Sequence, residues 1–253
     1  MFFAKPGVYK PCGMFNYKHL LLFIMIAMII GIAVKNTKIS NKEQVKKIIQ
    51  KTTIIMCALE IAKIIFLISI GEGRNLNKII PLYYCSLLLY SGLLSSFGKG
   101  IIKRFGDVFL ATGGIVGGLT FLVFPTTSLP EYPMFHFISV HSFFFHGTMV
   151  YLCIIINKFK YIDLKLTDFF YYAGLILVIC LGAYIVNMKF GSNLMFISKD
   201  FPNSPVTILY NWAGKMFTPI MIFLQMTVPF LGVYGILKIK KCFVKTLKKN
   251  PSV

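Results

Sequence analysis

Apolar residues occur in seven long stretches separated by short polar segments. A helix needs about 20 mostly apolar residues to cross a bilayer, and the stretches run over residues 17–34, 48–70, 79–97, 105–124, 136–156, 168–188 and 216–237. We therefore predict an all-α polytopic membrane protein, a bundle of about seven transmembrane helices that forms one domain over residues 1–253. The preceding segment, MFFAKPGVYKPCGMFN, has prolines and glycines where a signal peptide would have its apolar core.

The composition excludes an ordinary soluble domain, because charged residues are only 14% of the chain and the mean hydropathy is +0.74. The net charge of +19 would suit nucleic-acid binding, but Lys and Arg fall in alternate loops, 18 on one side of the bundle against 8 on the other. This positive-inside bias predicts an external N-terminus and a cytoplasmic C-terminus. The basic residues are therefore expected to meet anionic lipid headgroups and no nucleic acid.

Six cysteines are spread through the chain without a CxxC pair or a regular spacing. The pattern predicts neither a disulfide framework nor a metal site, and we expect no cofactor. A bias towards Lys, Ile and Asn is similar to that of AT-rich bacterial genomes, which favours a multi-pass protein of a bacterial cytoplasmic membrane. The sequence assigns no oligomeric state.

Cys85 lies in the apolar stretch IIPLYYCSLLLY over residues 79–90. Pro81 is predicted to open a helix here, and Gly92 and Ser96 lie roughly on the same helical stripe as Cys85. The thiol should then face the inside of the bundle, where it is a candidate nucleophile. The alternative is that Cys85 only packs, because buried thiols usually behave as small hydrophobic groups.

Glu60 and Lys63 are charged residues near the middle of the second apolar stretch. Charges at that depth normally face a partner or a cavity, and residues three positions apart can reach each other on a helix. One interpretation is a buried ion pair that only fixes packing. The other is functional: Glu60 orients a histidine, or Lys63 meets an anionic headgroup.

The fourth stretch contains GGIVGG at residues 113–118. Glycines four positions apart let another helix approach closely, so the motif predicts a packing face. A phosphate loop is disfavoured because its lysine and its preceding strand are missing.

The fifth stretch carries three of the four histidines. His141 and His146 are about 140° apart around a helix, so we expect them to point in different directions. His146 shares a small polar stripe with Ser139, Ser142 and Cys153, whereas His141 shares its stripe with phenylalanines. We therefore predict that His146 faces the interior and that His141 points elsewhere.

Topology places several of these residues in the external half of the bundle. Cys85 and His146 lie on helices that run inward, and Asn187 ends a helix that runs outward. The roughly 27-residue loop that follows Asn187 is rich in aromatic and aliphatic residues, which predicts a partly ordered cap.

The segments IPLYYCS, FFFHG and VNMKFGSNLMF resemble motifs of the YwaF-like family of integral membrane proteins, and the resemblance covers approximately residues 79–235. That family is related to the eukaryotic transmembrane protein 164 family, phospholipid acyltransferases that use a Cys–His pair. The resemblance implies that membrane phospholipids are the partners, that Cys85 is the nucleophile and that His146 is its base. Many relatives have histidine at the position of Tyr83 and tyrosine at that of Leu194, so the choice of headgroup or acyl chain is expected to differ.

The implied chemistry is acyl transfer through a thioester. His146 removes the thiol proton of Cys85, a lipid ester acylates the sulfur, and a second hydroxyl or water accepts the acyl group. Asn187 or a tyrosine hydroxyl could stabilise the oxyanion. The supporting residues are expected to be His141, Tyr83, Tyr84, Asn187, Asn193, Glu60 and Lys63.

Two other function classes stay open at this point. A transporter or permease would use Glu60 and Lys63 as coupling charges, although the chain has no clear internal repeat of the kind many transporters have. A non-catalytic membrane scaffold would need Cys85 and the histidines only for packing.

Overall fold

The computed structural model describes residues 1–202 and 204–249, and it contains helices and no strand within those residues. Ten α-helices follow one another: α1 (Tyr17–Asn36), α2 (Lys42–Ser69), α3 (Leu76–Ile79), α4 (Leu87–Phe97), α5 (Gly100–Ala111), α6 (Gly113–Val123), α7 (Phe137–Lys158), α8 (Phe169–Phe190), α9 (Val206–Ala213) and α10 (Phe217–Lys249).

Six helical segments of the described residues are long and apolar enough to cross a membrane: Tyr17–Asn36, Lys42–Ser69, Gly100–Val123, Phe137–Lys158, Leu166–Phe190 and Val206–Lys240. The helix Leu87–Phe97 is apolar but shorter. The prediction of an all-α multi-pass bundle with about seven spans is thus confirmed, as six full-length spans and one short helix.

The third apolar stretch differs from its prediction. Pro81 does not open a helix: residues 80–86 are irregular, and α4 begins only at Leu87. The residue before a proline disfavours helical backbone, and Ile80 is indeed extended, so α3 ends just before it. Because α4 rises only about 16 Å, the irregular segment must cover the rest of the span. Such backbone is tolerated at membrane depth where protein covers it or where it lines a cavity.

The fourth span is a single span with a break at Thr112, which separates α5 from α6. The break leaves the Ala111 carbonyl without its helical donor. Asn157 of α7 donates to this carbonyl through Nδ2 at 2.8 Å, and the Thr112 hydroxyl donates to the Val108 carbonyl at 2.7 Å. The break is therefore supported by polar groups, as buried backbone requires.

The glycines of α6 allow close approach of two neighbours, helix α7 and the side chain of Tyr84. A Cβ at Gly118 would lie 2.7 Å from the His146 carbonyl of α7, so this glycine permits close helix packing. A Cβ at Gly113 or Gly117 would instead collide with Tyr84, 2.8 and 2.9 Å away. The predicted packing face is confirmed, and it also accommodates the irregular segment that contains Cys85.

The loop between α8 and α10 is folded in its described part, as the sequence indicated. α8 ends at Gly191, which has a left-handed φ of 64° that a glycine adopts without strain. A short 3₁₀ turn at Leu194–Phe196 follows, and α9 comes next. Ile208 and Trp212 of α9 are each 76% exposed.

Candidate functional site

A cavity of about 360 Å³ lies between α2, the irregular segment 80–86, α6, α7 and α10. Most of its lining side chains are apolar, including Phe121, Phe145 and Met221. Seven of the nine site residues proposed from the sequence line it: Glu60, Lys63, Tyr83, Tyr84, Cys85, His141 and His146. Asn187 and Asn193 are not among the lining residues.

Cys85 is half-buried in the turn that leads into α4. The backbone amide of Leu88 donates to the Cys85 carbonyl at 3.0 Å, which starts the helix. The thiol is therefore carried by a residue next to the N-terminal end of α4, where the helix dipole favours an anion. A thiol acts as a nucleophile where a nearby base or positive charge favours its anion.

His146 has a defined tautomer because of its own helix. Its Nδ1 lies 2.7 Å from the Ser142 carbonyl, which can only accept, so Nδ1 carries the proton and Nε2 keeps its lone pair. Phe121 of α6 stacks on the imidazole with ring centres 3.7 Å apart. The ring is thus held from two sides in the form that a general base requires.

The expectation that His141 points elsewhere is wrong, because this side chain lines the same cavity as His146. Its Nε2 lies 3.6 Å from Glu60 Oε2. The cavity is wide enough for two side chains that leave α7 in different directions to border it at different points. The interpretation in which Glu60 faces a histidine therefore matches the geometry.

Glu60 and Lys63 contact each other as their spacing predicted. Lys63 Nζ donates to Glu60 Oε1 at 2.5 Å, and Glu60 is only 5% exposed. One carboxylate oxygen thus meets the ammonium group and the other faces His141. The three residues form one polar cluster on the wall of a mainly apolar cavity.

The two tyrosines before Cys85 have different hydroxyl partners. The Tyr84 hydroxyl lies 2.6 Å from that of Tyr172 and donates to the Gly113 carbonyl at 3.4 Å. The hydroxyl is therefore occupied, although the Tyr84 side chain lines the cavity. The Tyr83 hydroxyl has only a long 3.3 Å bond to Asn77, so it is the more available donor of the two.

Asn187 does not reach the cavity, so the expectation that it supports the reaction as an oxyanion donor is wrong. Its Nδ2 donates to the Leu194 carbonyl and to the Ser198 hydroxyl, and its Oδ1 accepts from the Ser192 hydroxyl and the Leu194 amide. All of its hydrogen-bonding atoms are thus used to fold the loop. At the end of α8, Asn187 thus holds the following loop in place.

Asn193 is structural for the same reason. Its side chain accepts from the amides of Ser198 and Lys199 and donates to the carbonyls of Lys199 and Asp200. Its own backbone amide donates to Asn77 at 2.8 Å. Asn193 therefore ties the loop together and joins it to the chain ahead of Cys85.

Met195 and Phe196 of this loop border the cavity, and both have a positive φ, 56° and 53°. Such backbone is unfavourable for these side chains and persists only where the surroundings hold it. Gln225 of α10 donates to the Met195 carbonyl at 2.9 Å. Gln225, which also lines the cavity, was not assigned to the site from the sequence, although a polar residue in an apolar helix is a usable signal.

The described residues contain no group of three His, Cys, Asp or Glu side chains that could hold a metal ion. The polar groups that line the cavity include a thiol, two imidazoles, a carboxylate and two ammonium groups, together with several hydroxyl and amide side chains. These groups can carry out nucleophilic and acid–base chemistry.

The fold and the cavity define a multi-pass helical membrane protein with a polar cluster inside an apolar pocket. The sequence model of the TMEM164 family matches residues 14–231, so the chain belongs to the TMEM164 family. The resemblance noted from the sequence motifs is thereby confirmed. No curated protein and no solved structure matched the chain.

Proposed function

We propose that the protein is a membrane acyltransferase that acts on phospholipids or lysophospholipids through a Cys–His thioester mechanism. The observation that carries the proposal is that Cys85 and His146 line one mainly apolar cavity in a chain of the TMEM164 family. An apolar cavity in a bundle suits an acyl chain, and a thiol with an imidazole base suits ester cleavage.

In the first half-reaction, Nε2 of neutral His146 takes the Cys85 proton while the sulfur attacks the ester carbonyl carbon of a phospholipid. The ester C–O bond breaks, and His146 returns the proton to the leaving oxygen. The products are a thioester on Cys85 and a lysophospholipid.

In the second half-reaction, a hydroxyl of another lipid, or water, accepts the acyl group and releases the thiol. Both half-reactions pass through an oxyanion, which needs a hydrogen-bond donor. The Tyr83 hydroxyl is the candidate donor, since Tyr84 and Asn187 have other partners. The first amides of α4 are also engaged, with the carbonyls of residues 84–86.

The test is transfer of a labelled acyl chain between lipids by the purified protein in vesicles, with intact-protein mass spectrometry to detect an acyl adduct. Cys85→Ser should lose both the adduct and the transfer. Cys57→Ser is the matched control, because Cys57 is also half-buried but does not line the cavity. His146→Gln should slow transfer by about 10²–10⁴-fold, as expected for a lost general base.

Two outcomes would overturn the proposal. Either wild-type protein forms no adduct and moves no acyl chain, or Cys85→Ser transfers at the normal rate. The same experiment separates the other function classes. A permease would move a solute without an adduct, with Glu60 and Lys63 as its coupling charges, and a scaffold would do neither.

We also propose a cell-membrane location, in a bacterial cytoplasmic membrane, with the N-terminus outside. The distribution of Lys and Arg between alternate loops supports this orientation. A reporter fused after Val253 should behave as cytoplasmic and one near residue 200 as external. Reversed behaviour would put the cavity on the cytoplasmic side and allow a soluble acyl donor.

A further inference from the structure

His141 is a buried histidine without a hydrogen bond. Its side chain lines the cavity and is 7% exposed, and neither ring nitrogen has a hydrogen-bond partner among residues 1–202 and 204–249. Buried polar atoms are nearly always paired, so an unpaired one requires an explanation. A ring that packed only for its shape would leave two polar atoms unsatisfied, which is costly.

The Glu60 carboxylate faces this ring. Its Oε2 lies 3.6 Å from His141 Nε2, slightly beyond hydrogen-bond length, while its Oε1 is held by Lys63. A small rotation of the imidazole would let Nε2–H donate to the carboxylate and leave Nδ1 as the basic atom. Catalytic hydrogen bonds are often long before substrate binds.

The other neighbours of His141 are two phenylalanine rings and two titratable side chains. The rings of Phe137 and Phe145 lie 6.1 and 5.8 Å from it, centre to centre. Lys63 and His146 are the remaining titratable groups that act on it. Among these neighbours, the Glu60 carboxylate alone can orient the ring and stabilise a positive charge on it.

The two histidines of the cavity therefore have different supports. His146 is held by a neutral backbone carbonyl, whereas His141 faces a carboxylate. A carboxylate behind an imidazole stabilises the imidazolium that forms when the ring takes a proton. This support suits the harder of the two proton transfers, which is removal of a proton from a hydroxyl, since a thiol is far more acidic.

We propose that Glu60 and His141 form a second acid–base pair, which takes the proton of the acceptor hydroxyl when the acyl group leaves Cys85. This inference rests on the proposed function. His141 is then a catalytic residue of the second half-reaction, and Glu60 is a positioning residue that acts through it.

The step balances as follows. The hydroxyl oxygen attacks the thioester carbonyl carbon while His141 takes the hydroxyl proton, and a C–O bond forms. The C–S bond breaks and its electron pair stays on the Cys85 sulfur. The proton then passes from the His141 imidazolium to the thiolate, so the cycle ends with a neutral ring and a thiol.

The test follows the acyl adduct on Cys85 in His141→Gln protein in phospholipid vesicles. The adduct should still form, because Cys85 and His146 are intact, and its formation also shows that the variant is folded. Its decay should slow by about 10²–10⁴-fold, so that acylated protein accumulates. His136→Asn is the matched control, since His136 lies just before α7 and does not line the cavity.

Two acceptors distinguish the source of the hydroxyl. A lysophospholipid gives a new phospholipid, and water gives a free fatty acid. Slower release to both, or to the lysophospholipid alone, supports the proposal and identifies the acceptor. Wild-type rates of release to both in His141→Gln protein would overturn it while leaving the proposed function in place.

If wild-type protein never carries an adduct, the proposed function fails and this inference fails with it. A further readout separates chemistry from packing: added imidazole should restore adduct decay in His141→Ala protein. The Glu60→Gln/Lys63→Met double variant, which removes both charges together, should likewise accumulate the adduct. Normal decay in that variant, or no response to imidazole, would overturn the assigned roles.

Discussion

The backbone amide of Met195 donates to the carbonyl of Leu82 across 3.2 Å. This bond joins the loop after α8 to the irregular segment that carries Cys85, two parts of the chain that are far apart in sequence. Met195 has an unfavourable positive φ, and the Gln225 side chain helps to hold it there by donating a hydrogen bond to the Met195 carbonyl. The loop is therefore a rigid wall beside Cys85, and its own supports should matter for stability.

Asn187 is one of these supports. Asn187→Ala removes four hydrogen bonds to the loop. At about 1 kcal/mol for each bond, with some loss of packing, the free energy of unfolding should fall by roughly 3–4 kcal/mol. Thermal unfolding in detergent measures this change.

Ser192→Ala is the control, since it removes only the bond from the Ser192 hydroxyl to Asn187. It should cost about 1 kcal/mol. An Asn187→Ala protein as stable as Ser192→Ala would contradict the assignment of Asn187 to the loop.

Gly118 should tolerate no side chain. An alanine Cβ there would lie 2.6 Å from Val150 Cγ2 and 2.7 Å from the His146 carbonyl, so α6 and α7 would have to separate. We expect Gly118→Ala to cost about 1–3 kcal/mol. Gly182→Ala on α8, where nothing lies within 4 Å of the added Cβ, should change stability by less than about 1 kcal/mol. Comparable melting temperatures for the two variants would contradict this packing.

His136 should make the N-terminal segment sensitive to acid. Its Nε2 donates to the Ala4 carbonyl, and its Nδ1 accepts from the Ile138 amide at the start of α7. Burial lowers the pKa of His136 from its ordinary 6.5, partly opposed by the bond to Ala4. The folded state therefore binds a proton less readily than the unfolded state, and stability falls as the pH drops below about 6.5 towards the lower folded pKa.

His136→Asn keeps a capping side chain but cannot titrate. The loss of melting temperature between about pH 7.5 and pH 5 should be smaller in this variant than in wild-type protein. The other buried histidines are present in both proteins, so the difference isolates His136. Equal losses would show that His136 does not contribute to the acid sensitivity.

Hydropathy predicted the spans because apolar length is a local property, and six of the predicted stretches overlap a span of the structure. Three of these spans begin well before their predicted starts: Lys42–Ser69, Gly100–Val123 and Val206–Lys240. The prediction of one continuous helix over the third stretch was wrong, because hydrophobic periodicity does not show where a proline ends a helix. Pro81 ended α3 and left the Cys85 segment irregular, and contacts with distant residues such as Met195, Gly113 and Tyr172 stabilise that arrangement. These contacts come from other parts of the chain and have no local signal.

The composition of the cavity wall was predicted better than its geometry. Cys85, His146, Glu60 and Lys63 stand out as reactive or charged groups in apolar stretches, so the sequence alone could single them out. The angle of about 140° between His141 and His146 around a helix predicted that they point in different directions, but both border the same wide cavity. Asn187 and Asn193 look like site residues by type, and only the loop's hydrogen bonds show what they do.

Glu60 and Lys63 should be more costly to change singly than together. Glu60→Gln leaves the Lys63 ammonium without its partner, and Lys63→Met leaves a carboxylate that is 5% exposed in an apolar wall. Each single change should cost on the order of 3 kcal/mol, whereas the double variant should recover most of that loss because no unpaired charge remains. Yield of monodisperse protein and melting temperature in detergent give the comparison.

The pair would not be a buried, coupled unit if both single variants showed small, equal losses, or if the double variant were as unstable as the sum of the two. A double variant that is stable and yet inactive would assign the pair to the chemistry of the cavity, because the packing defect has then been removed while the carboxylate that faces His141 is gone.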